Sequence, residues 1–526
     1  MSNMKQKIIS KTNLAGLLFI VIMALGVFVR VYKFGSLPEG INQDEAYAGY
    51  EAYSLLKYGK DSYGYSFPVY FIAWGSGMNV LESYLMIPFI AMFGLSTWVI
   101  RLPQLIMAVI TLIMCYLVMK HLFNEKAGLL AMFILAVVPW HIMLSRWALE
   151  SNLAPAFLMA GFCFFVKGMD KQVYYIVSAV MYGLSLYAYA TIWPFVPLII
   201  FLEIVYAIYR KKIRVDKYTI TSFIVLFIMA LPLLLFLLVN KGYIDEIKLG
   251  FISVPKLLYM RSGEISLKNI PGNFKNICNI MVQQTDGLIT NVYNDYGIFF
   301  RITLILSAAG MFFIIFNTIK EIKEEKNASI PQLLLLIQFI GGFFLTLLVQ
   351  VNVNRANSIM IPVILIAVYG LCEITSLLKS GLLLWVVAAV YFILSANFAQ
   401  AYFKNYNNDA GYAFSVGFEE AMQFAKENSN DNSTVYVTPS VSQSRVMFYS
   451  KIPVDKYINT VVYNNYPGAF MGTDSFGEFC MDFDIYNNID TEGIYILDAG
   501  TDISVLIQAG FETSQYGYYT VAIHKH

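Results

Sequence analysis

Ser83-Tyr84-Leu85-Met86-Ile87-Pro88-Phe89-Ile90-Ala91-Met92-Phe93-Gly94 decides how this chain is threaded. The run is apolar from end to end but only about 12 residues long, whereas about 20 are needed to cross a ~30 Å hydrocarbon core. It reads as a helix lying at a membrane interface or dipping into the bilayer. Outward from it, apolar stretches that suit membrane spans recur: near residues 14–34 before it, and near 102–119, 127–144, 151–167, 173–191, 195–209, 218–240, 298–316, 331–351, 356–376 and 380–398 after it. With the N-terminus and its Lys5, Lys7 and Lys11 inside, these spans leave four basic clusters on the inner side. The clusters are Lys120/Lys126, Lys167/Lys171, Arg210-Lys211-Lys212-Ile213-Arg214 and Lys320/Lys323/Lys326. Such an excess of Lys and Arg in short inner loops is the positive-inside pattern. Counting residues 83–94 as a span would invert everything after it and turn Arg210–Arg214 outward.

Composition agrees with this threading. Of 526 residues, 58% are hydrophobic and 13% charged, against roughly 25% charged in a soluble domain. The first apolar run, Leu14–Val29, continues through Val31 and Phe34 and reads as an uncleaved span rather than a signal peptide. A net charge of +1 points to neither nucleic acid nor an acidic polymer as partner. The four histidines are scattered with no HExxH, and the five cysteines show no metal-ligand spacing. Cys278 and Cys480, both in polar regions, are the one candidate bridge. Neither a metal site nor a cofactor is expected.

The fold expected is an α-helical polytopic membrane protein of about eleven spans, over residues 1–398, followed by a small α/β domain at 399–526. Within the tail, Thr434–Thr438 and Ile494–Leu497 read as buried strands and Gly417–Glu427 as a helix. Outer loops 35–101 and 241–297, the Ser145–Glu150 junction, Val351–Ser358 and the C-terminal domain then share the outer side. Long internal repeats of the kind found in many transporters are not evident. Ionisable residues inside the spans are few, Glu203 and Glu373 being the clear cases, whereas pumps place charge near the midplane. Charge gathered at the outer rim suits an enzyme handling a lipid headgroup better than a transporter or flippase, or a non-catalytic membrane scaffold.

Three outer stretches carry candidate chemistry. In Asn42-Gln43-Asp44-Glu45, leading into a helical Ala46–Tyr58, the acidic pair could take a hydroxyl proton; Tyr47, Tyr50 and Glu51 follow at helical spacing from Asp44. The structural alternative makes Asp44 the helix cap and Glu45 a complement to its dipole. In Trp140–Glu150, Arg146 offers a guanidinium fork to a phosphate, steered by Glu150; the alternative is an interfacial belt of Trp140 and Trp147 with Arg146 snorkelling. In Asn352–Ser358, Asn354 and Arg355 suit phosphate or sugar, or simply a capped helix start. The long loop adds Asp286, Asn291 and Tyr296, polar and aromatic types suited to a saccharide or to an ordinary loop.

These residues resemble the GT-C superfamily of membrane glycosyltransferases, specifically the protein O-mannosyltransferase and aminoarabinose-transferase group. The likeness lies in Val29-Arg30-Val31-Tyr32, then Pro38 and Asp44-Glu45, then Arg101-Leu102-Pro103, and the Ser145-Arg146 junction with Glu150 after it. It implies transfer of a sugar, with inversion, from a polyprenyl-phosphate donor to a protein, lipid or glycan acceptor outside the cytoplasm, by an enzyme of the cell membrane. By this resemblance Asp44 is the general base, Glu45 positions the acceptor or base, Arg146 binds the donor phosphate or orients the acids, and Glu150 is the second acid. The Lys-Pro-Pro segment of many relatives is replaced here by Trp74-Gly75-Ser76-Gly77-Met78-Asn79. Phosphate would then meet backbone N–H groups of that glycine-containing stretch, or Arg355.

Overall fold

The computed structural model describes residues 2–260, 267–324, 330–430 and 433–524; Lys326 of the last basic cluster lies outside them. The chain opens with α1 (Ser2–Val31), α2 (Gln43–Tyr58), α3 (Leu81–Phe93) and the short α4 (Thr97–Ile100). At 1.5 Å per residue, α3 is about 20 Å long, short of a bilayer core, and Gly94 ends it. It packs instead along α2, with Ser83 Oγ donating to the Ala48 carbonyl at 2.9 Å.

The bundle continues with α5 (Leu102–Leu122), α6 (Glu125–Val137), α7 (Pro139–Leu144), α8 (Glu150–Gly168), α9 (Tyr174–Ala188), α10 (Phe195–Tyr209) and α11 (Lys217–Asn240). A hairpin of β1 (Ile247–Leu249) and β2 (Ile252–Val254) and the helix α12 (Ile270–Gln283) precede α13 (Arg301–Lys323), α14 (Gln332–Leu348), α15 (Asn357–Leu377) and α16 (Leu382–Ala410). Among the described residues, eight helical segments are long and apolar enough to cross a membrane, and α9 and α14 are shorter apolar helices. The stretch expected as one span near 127–144 is broken between α6 and α7, where Val138 is extended ahead of Pro139; proline supplies no N–H to continue the ladder.

Centre and rim of the bundle are set by packing. The spans of α8 and α15 are 89% and 78% buried inside the protein, against 17% for α11, whose Phe223, Phe227 and Ile228 face outward. Lipid is as apolar as leucine, so close backbone approach has to hold such helices together. Gly310 on α13 and Gly370 on α15 provide it: a Cβ on Gly310 would lie 2.0 Å from the Ile366 carbonyl.

Beyond α16 come α17 (Phe418–Asn428), β3 (Val435–Val437), α18 (Gln443–Ser450), α19 (Val454–Thr460), β4 (Val462–Asn464), β5 (Gly472–Phe476), β6 (Phe479–Cys480), β7 (Ile494–Asp498), α20 (Ser504–Gln508), β8 (Phe511–Tyr516) and β9 (Tyr519–His524). The sheet runs β4-β5-β6-β3-β7-β9-β8, with β3 parallel to β6 and β7 and the other pairs antiparallel. The helix and both strands expected from the sequence are present. α16 passes residue 399 as one helix and ends at Ala410, so the sheet unit begins beyond it. All five cysteines are free thiols, which removes Cys278–Cys480 as a bridge.

The sheet domain grips the first loop. Tyr50 donates to the Ile452 carbonyl at 2.8 Å, Ser444 to that of Gln43 at 2.9 Å, and Arg445 to those of Ile41 at 3.1 Å and Ala413 at 3.2 Å. Lys60 pairs with Asp455 at the rim.

Candidate active site

The local sequence Asn42-Gln43-Asp44-Glu45 starts α2 through a capping box. The Asn42 side chain accepts the Asp44 N–H at 3.0 Å, and Glu45 accepts the Asn42 N–H at 3.0 Å; two otherwise orphaned donors are satisfied reciprocally. Asn42, not Asp44, is therefore the cap. Glu45 goes further: its carboxylate accepts Arg101 Nε at 2.8 Å and Nη2 at 2.9 Å, and the Ala148 N–H at 2.7 Å. Glu45 and Arg101 are both fully buried. The same guanidinium donates to the carbonyls of Pro38 at 2.7 Å and Gly40 at 2.9 Å. One ion pair thus fastens the first loop, the start of α5 and the Ser145–Glu150 junction together, and leaves Asp44 half-buried beside it on a rigid helical turn.

Glu150 opens α8, half-buried, and accepts the N–H of Asn79. That contact brings the 74–79 segment to the site, but not as a phosphate cradle. The N–H groups of Ser76 and Gly77 go to the Ala73 carbonyl, that of Met78 to Phe71, and that of Asn79 to Glu150. Gly75, at φ +90°, lies against the sheet domain, where a Cβ would come 2.1 Å from the Gly468 carbonyl. The glycines serve close packing rather than anion binding.

Arg146 is placed where the sequence put it and faces inward. Its Nε donates to the Leu37 carbonyl at 3.0 Å, Nη1 to Val29 and Arg30 at 3.1 and 2.9 Å, and Nη2 to Tyr32 and Lys33 at 2.8 and 3.0 Å. All five donors of the fork therefore meet main-chain carbonyls at the end of α1 and just past it, groups a helix C-terminus otherwise leaves unsatisfied. Neither the snorkelling nor the phosphate geometry is present, and Trp140 and Trp147, 2% and 4% exposed, are core residues rather than belt anchors. Replacing Arg146 by Met is expected to lower stability by at least about 3 kcal/mol, because several buried carbonyls lose their donor at once. Thermal melting in detergent checks it; a variant that melts like wild type yet loses donor binding would return Arg146 to the phosphate.

Asn354 and Arg355 are half-buried; Arg355 Nη1 donates to the Gln350 carbonyl at 3.0 Å and its N–H to Asn352 at 2.8 Å. Asn357, on the same stretch, accepts Trp140 Nε1 at 2.9 Å and donates to the Ser151 carbonyl and Asn152 side chain at 3.2 Å. The stretch is thereby held against the start of α8, next to Glu150. Asp286 is a loop pin, accepting from Val353 N at 2.9 Å and Asn291 at 2.8 Å. Tyr296 stacks on Tyr293, whose hydroxyl donates to Asp409.

Tyr47 and Glu51 do not face the acid at Asp44. Tyr47 packs in the core against Phe71 and Trp74, and the fully buried Glu51 accepts the Ser62 N–H at 2.9 Å and its hydroxyl. Burial pushes the Glu51 carboxyl up from 4.5 to about 7, and burial and then the Glu51 charge also push Asp61 up. A carboxyl that binds its proton more tightly when folded stabilises the fold fully below its unfolded value, near 4.5, and loses that contribution as pH rises through about 7. The protein is expected to lose up to about 3 kcal/mol of stability across that window. Melting temperatures on either side of it should differ in wild type and converge in Glu51→Gln; equal slopes in both would assign the effect elsewhere.

Sequence reasoning passed over Glu82 and Arg445, and met Arg30 and Arg101 only through the resemblance. Arg30, fully buried, donates to the Gly26, Ala136 and Leu135 carbonyls and lies 2.6 Å from His141 Nδ1. A readable signal existed for two of them: an arginine closing an apolar span, and a glutamate opening an apolar run.

A bundle with eight helical segments long and apolar enough to cross a membrane, a short apolar helix, an acidic first loop and an appended sheet domain define a multi-span helical fold among the described residues. Residues 77–237 match the family described as dolichyl-phosphate-mannose-protein mannosyltransferase. The structure is similar to that of ArnT from Cupriavidus metallidurans bound to undecaprenyl phosphate, at TM-score 0.59 and 9% identity over 96% of this chain and 97% of the other. The apo state of the same protein aligns at TM-score 0.56 and 11% identity over 98% of each chain. No curated protein is a significant match in sequence. The resemblance read from the first loop and the Ser-Arg junction is borne out at the level of fold and family segment.

Proposed function

We propose that the chain is a membrane glycosyltransferase that moves a sugar, with inversion, from a polyprenyl-phosphate donor to an acceptor on the outer side of a cell membrane. The observation that carries this reading is the placement of Asp44. It is a half-buried carboxyl on a helical turn immobilised by the Glu45–Arg101 pair, on the same face of the bundle as Glu150 and the 352–357 stretch. A base must be held rigidly to accept a hydroxyl proton as the acceptor attacks. Asp44 takes that proton and the departing oxygen leaves as polyprenyl phosphate. The similar protein from Cupriavidus metallidurans binds undecaprenyl phosphate, which supports a lipid phosphate as the leaving group here.

Because Arg146 is committed to carbonyls, Arg355 and Asn354 are the residues we assign to the donor phosphate, with Glu150 as the second acid. Asp286, Asn291 and Tyr296 shape the loop beside them. The reading invokes no metal or further cofactor. The acceptor is a protein, lipid or glycan, and the sheet domain, gripping the first loop, borders its path. A carrier is less well supported: the clear midspan carboxyl, Glu203, is held by Tyr182 and Gln338, each at 2.8 Å. Purified protein in nanodiscs, offered a panel of polyprenyl-phosphate sugars with and without acceptors, should release free polyprenyl phosphate detectable by mass spectrometry. Silence with every donor, in protein that is folded, would sink the reading.

A further inference from the structure

Glu82 is the second residue of α3 and the one charged side chain in it. Its side chain is 1% exposed, and neither carboxyl oxygen has a hydrogen-bond partner among the described residues. The elements around it bring more acid, and no N–H or hydroxyl among the described residues reaches its oxygens. Asp44 and Glu45 come from α2; Glu150 comes from α8, its carboxylate on the Asn79 N–H one turn before Glu82. Arg101, opening α5, is occupied by Glu45 and the Pro38 and Gly40 carbonyls. Tyr187 of α9 gives its hydroxyl to Met229 and Tyr84 of α3 gives its own to Pro68, while α4 has no titratable side chain.

An ionised carboxylate in that position would be stripped of water, given no N–H in return and repelled by its neighbours. The neutral acid is the form these surroundings accept. Burial first, then the charges of Glu45, Glu150 and Asp44, hold its carboxyl well above the usual range. A neutral buried acid is a hydrogen-bond donor, and an unpaired one at a site built for chemistry is there to be used.

We infer that Glu82 is a positioning residue of the transfer site, a proton-bearing carboxyl that presents its O–H to the neighbouring Asp44 and Glu150 carboxylates as substrate is drawn in. The inference rests on the sugar-transfer reading. The proton stays on Glu82 throughout, and the acceptor's proton goes to Asp44. Two anions, rather than three, then face an incoming phosphate, and the O–H fixes the orientation of the base.

The test compares wild type with Glu82→Gln, which keeps a neutral donor, and Glu82→Leu, which keeps only the volume. Glu82→Leu should melt no lower than wild type, since it removes an unpartnered polar group, yet lose at least about tenfold in kcat with donor KM unchanged. Glu82→Gln should stay within about threefold of wild type at neutral pH and lose the alkaline fall in rate that ionisation of Glu82 causes. Infrared spectroscopy gives a readout independent of turnover: a protonated-carboxyl band present in wild type at neutral pH and reduced in Glu82→Gln. An active Glu82→Leu with wild-type kcat, or unchanged infrared spectra, overturns the role of Glu82 alone. A wild type that turns over no donor overturns the transferase reading, whatever the infrared shows.

Discussion

Asp44→Asn is expected to abolish sugar transfer, with kcat at least about a hundredfold below wild type and the fold unchanged. The expected size follows from what the amide lacks: it cannot accept the acceptor's proton, and a positioned base contributes about 10²–10⁴ to such a step. Structure should survive because asparagine keeps the size and shape of the side chain and the backbone N–H that Asn42 caps. Donor binding should persist, so the loss belongs in kcat rather than KM. The measurement is release of polyprenyl phosphate by wild type and variant matched for melting temperature. Equal turnover in both would remove Asp44 as the base, and Glu150, on the Asn79 N–H, would be tested next.

Glu45→Ala is expected to act on the fold rather than on chemistry. Removing one partner of a fully buried pair leaves Arg101 charged and uncompensated, at a cost of about 3–5 kcal/mol. The Asn42 and Ala148 N–H groups lose their acceptor as well. Glu45→Ala should therefore express poorly or melt far below wild type. Replacing both partners by apolar residues, which often restores stability at buried pairs, should rescue only part of it, because Arg101 also holds the Pro38 and Gly40 carbonyls. A stably folded Glu45→Ala that is inactive would instead make Glu45 a direct participant in transfer.

The short apolar helix at 81–93 and the bundle of apolar spans were legible because each rests on local quantities: apolar run length, and lysine and arginine between runs. The acidic character of the first loop was legible for a similar reason, since Asp44-Glu45 is contiguous. What individual charged residues do was not. Arg146 reads equally as a phosphate fork or a snorkelling anchor, and it is neither, because the carbonyls it caps lie more than a hundred residues earlier. The same holds for Glu45: nothing near it in sequence names Arg101 as its partner, 56 residues away.

Glu82 shows the division most sharply. The sequence by itself determined that this is a multi-span membrane chain with an acidic first loop, because hydrophobic length and charge placement act over a turn or a span of helix. Which acids are satisfied and which are left without a donor was decided only when α2, α3, α5 and α8 met. Desolvation and hydrogen bonding depend on groups brought together from distant parts of the chain, and burial magnifies whatever pairing the packing allows or denies.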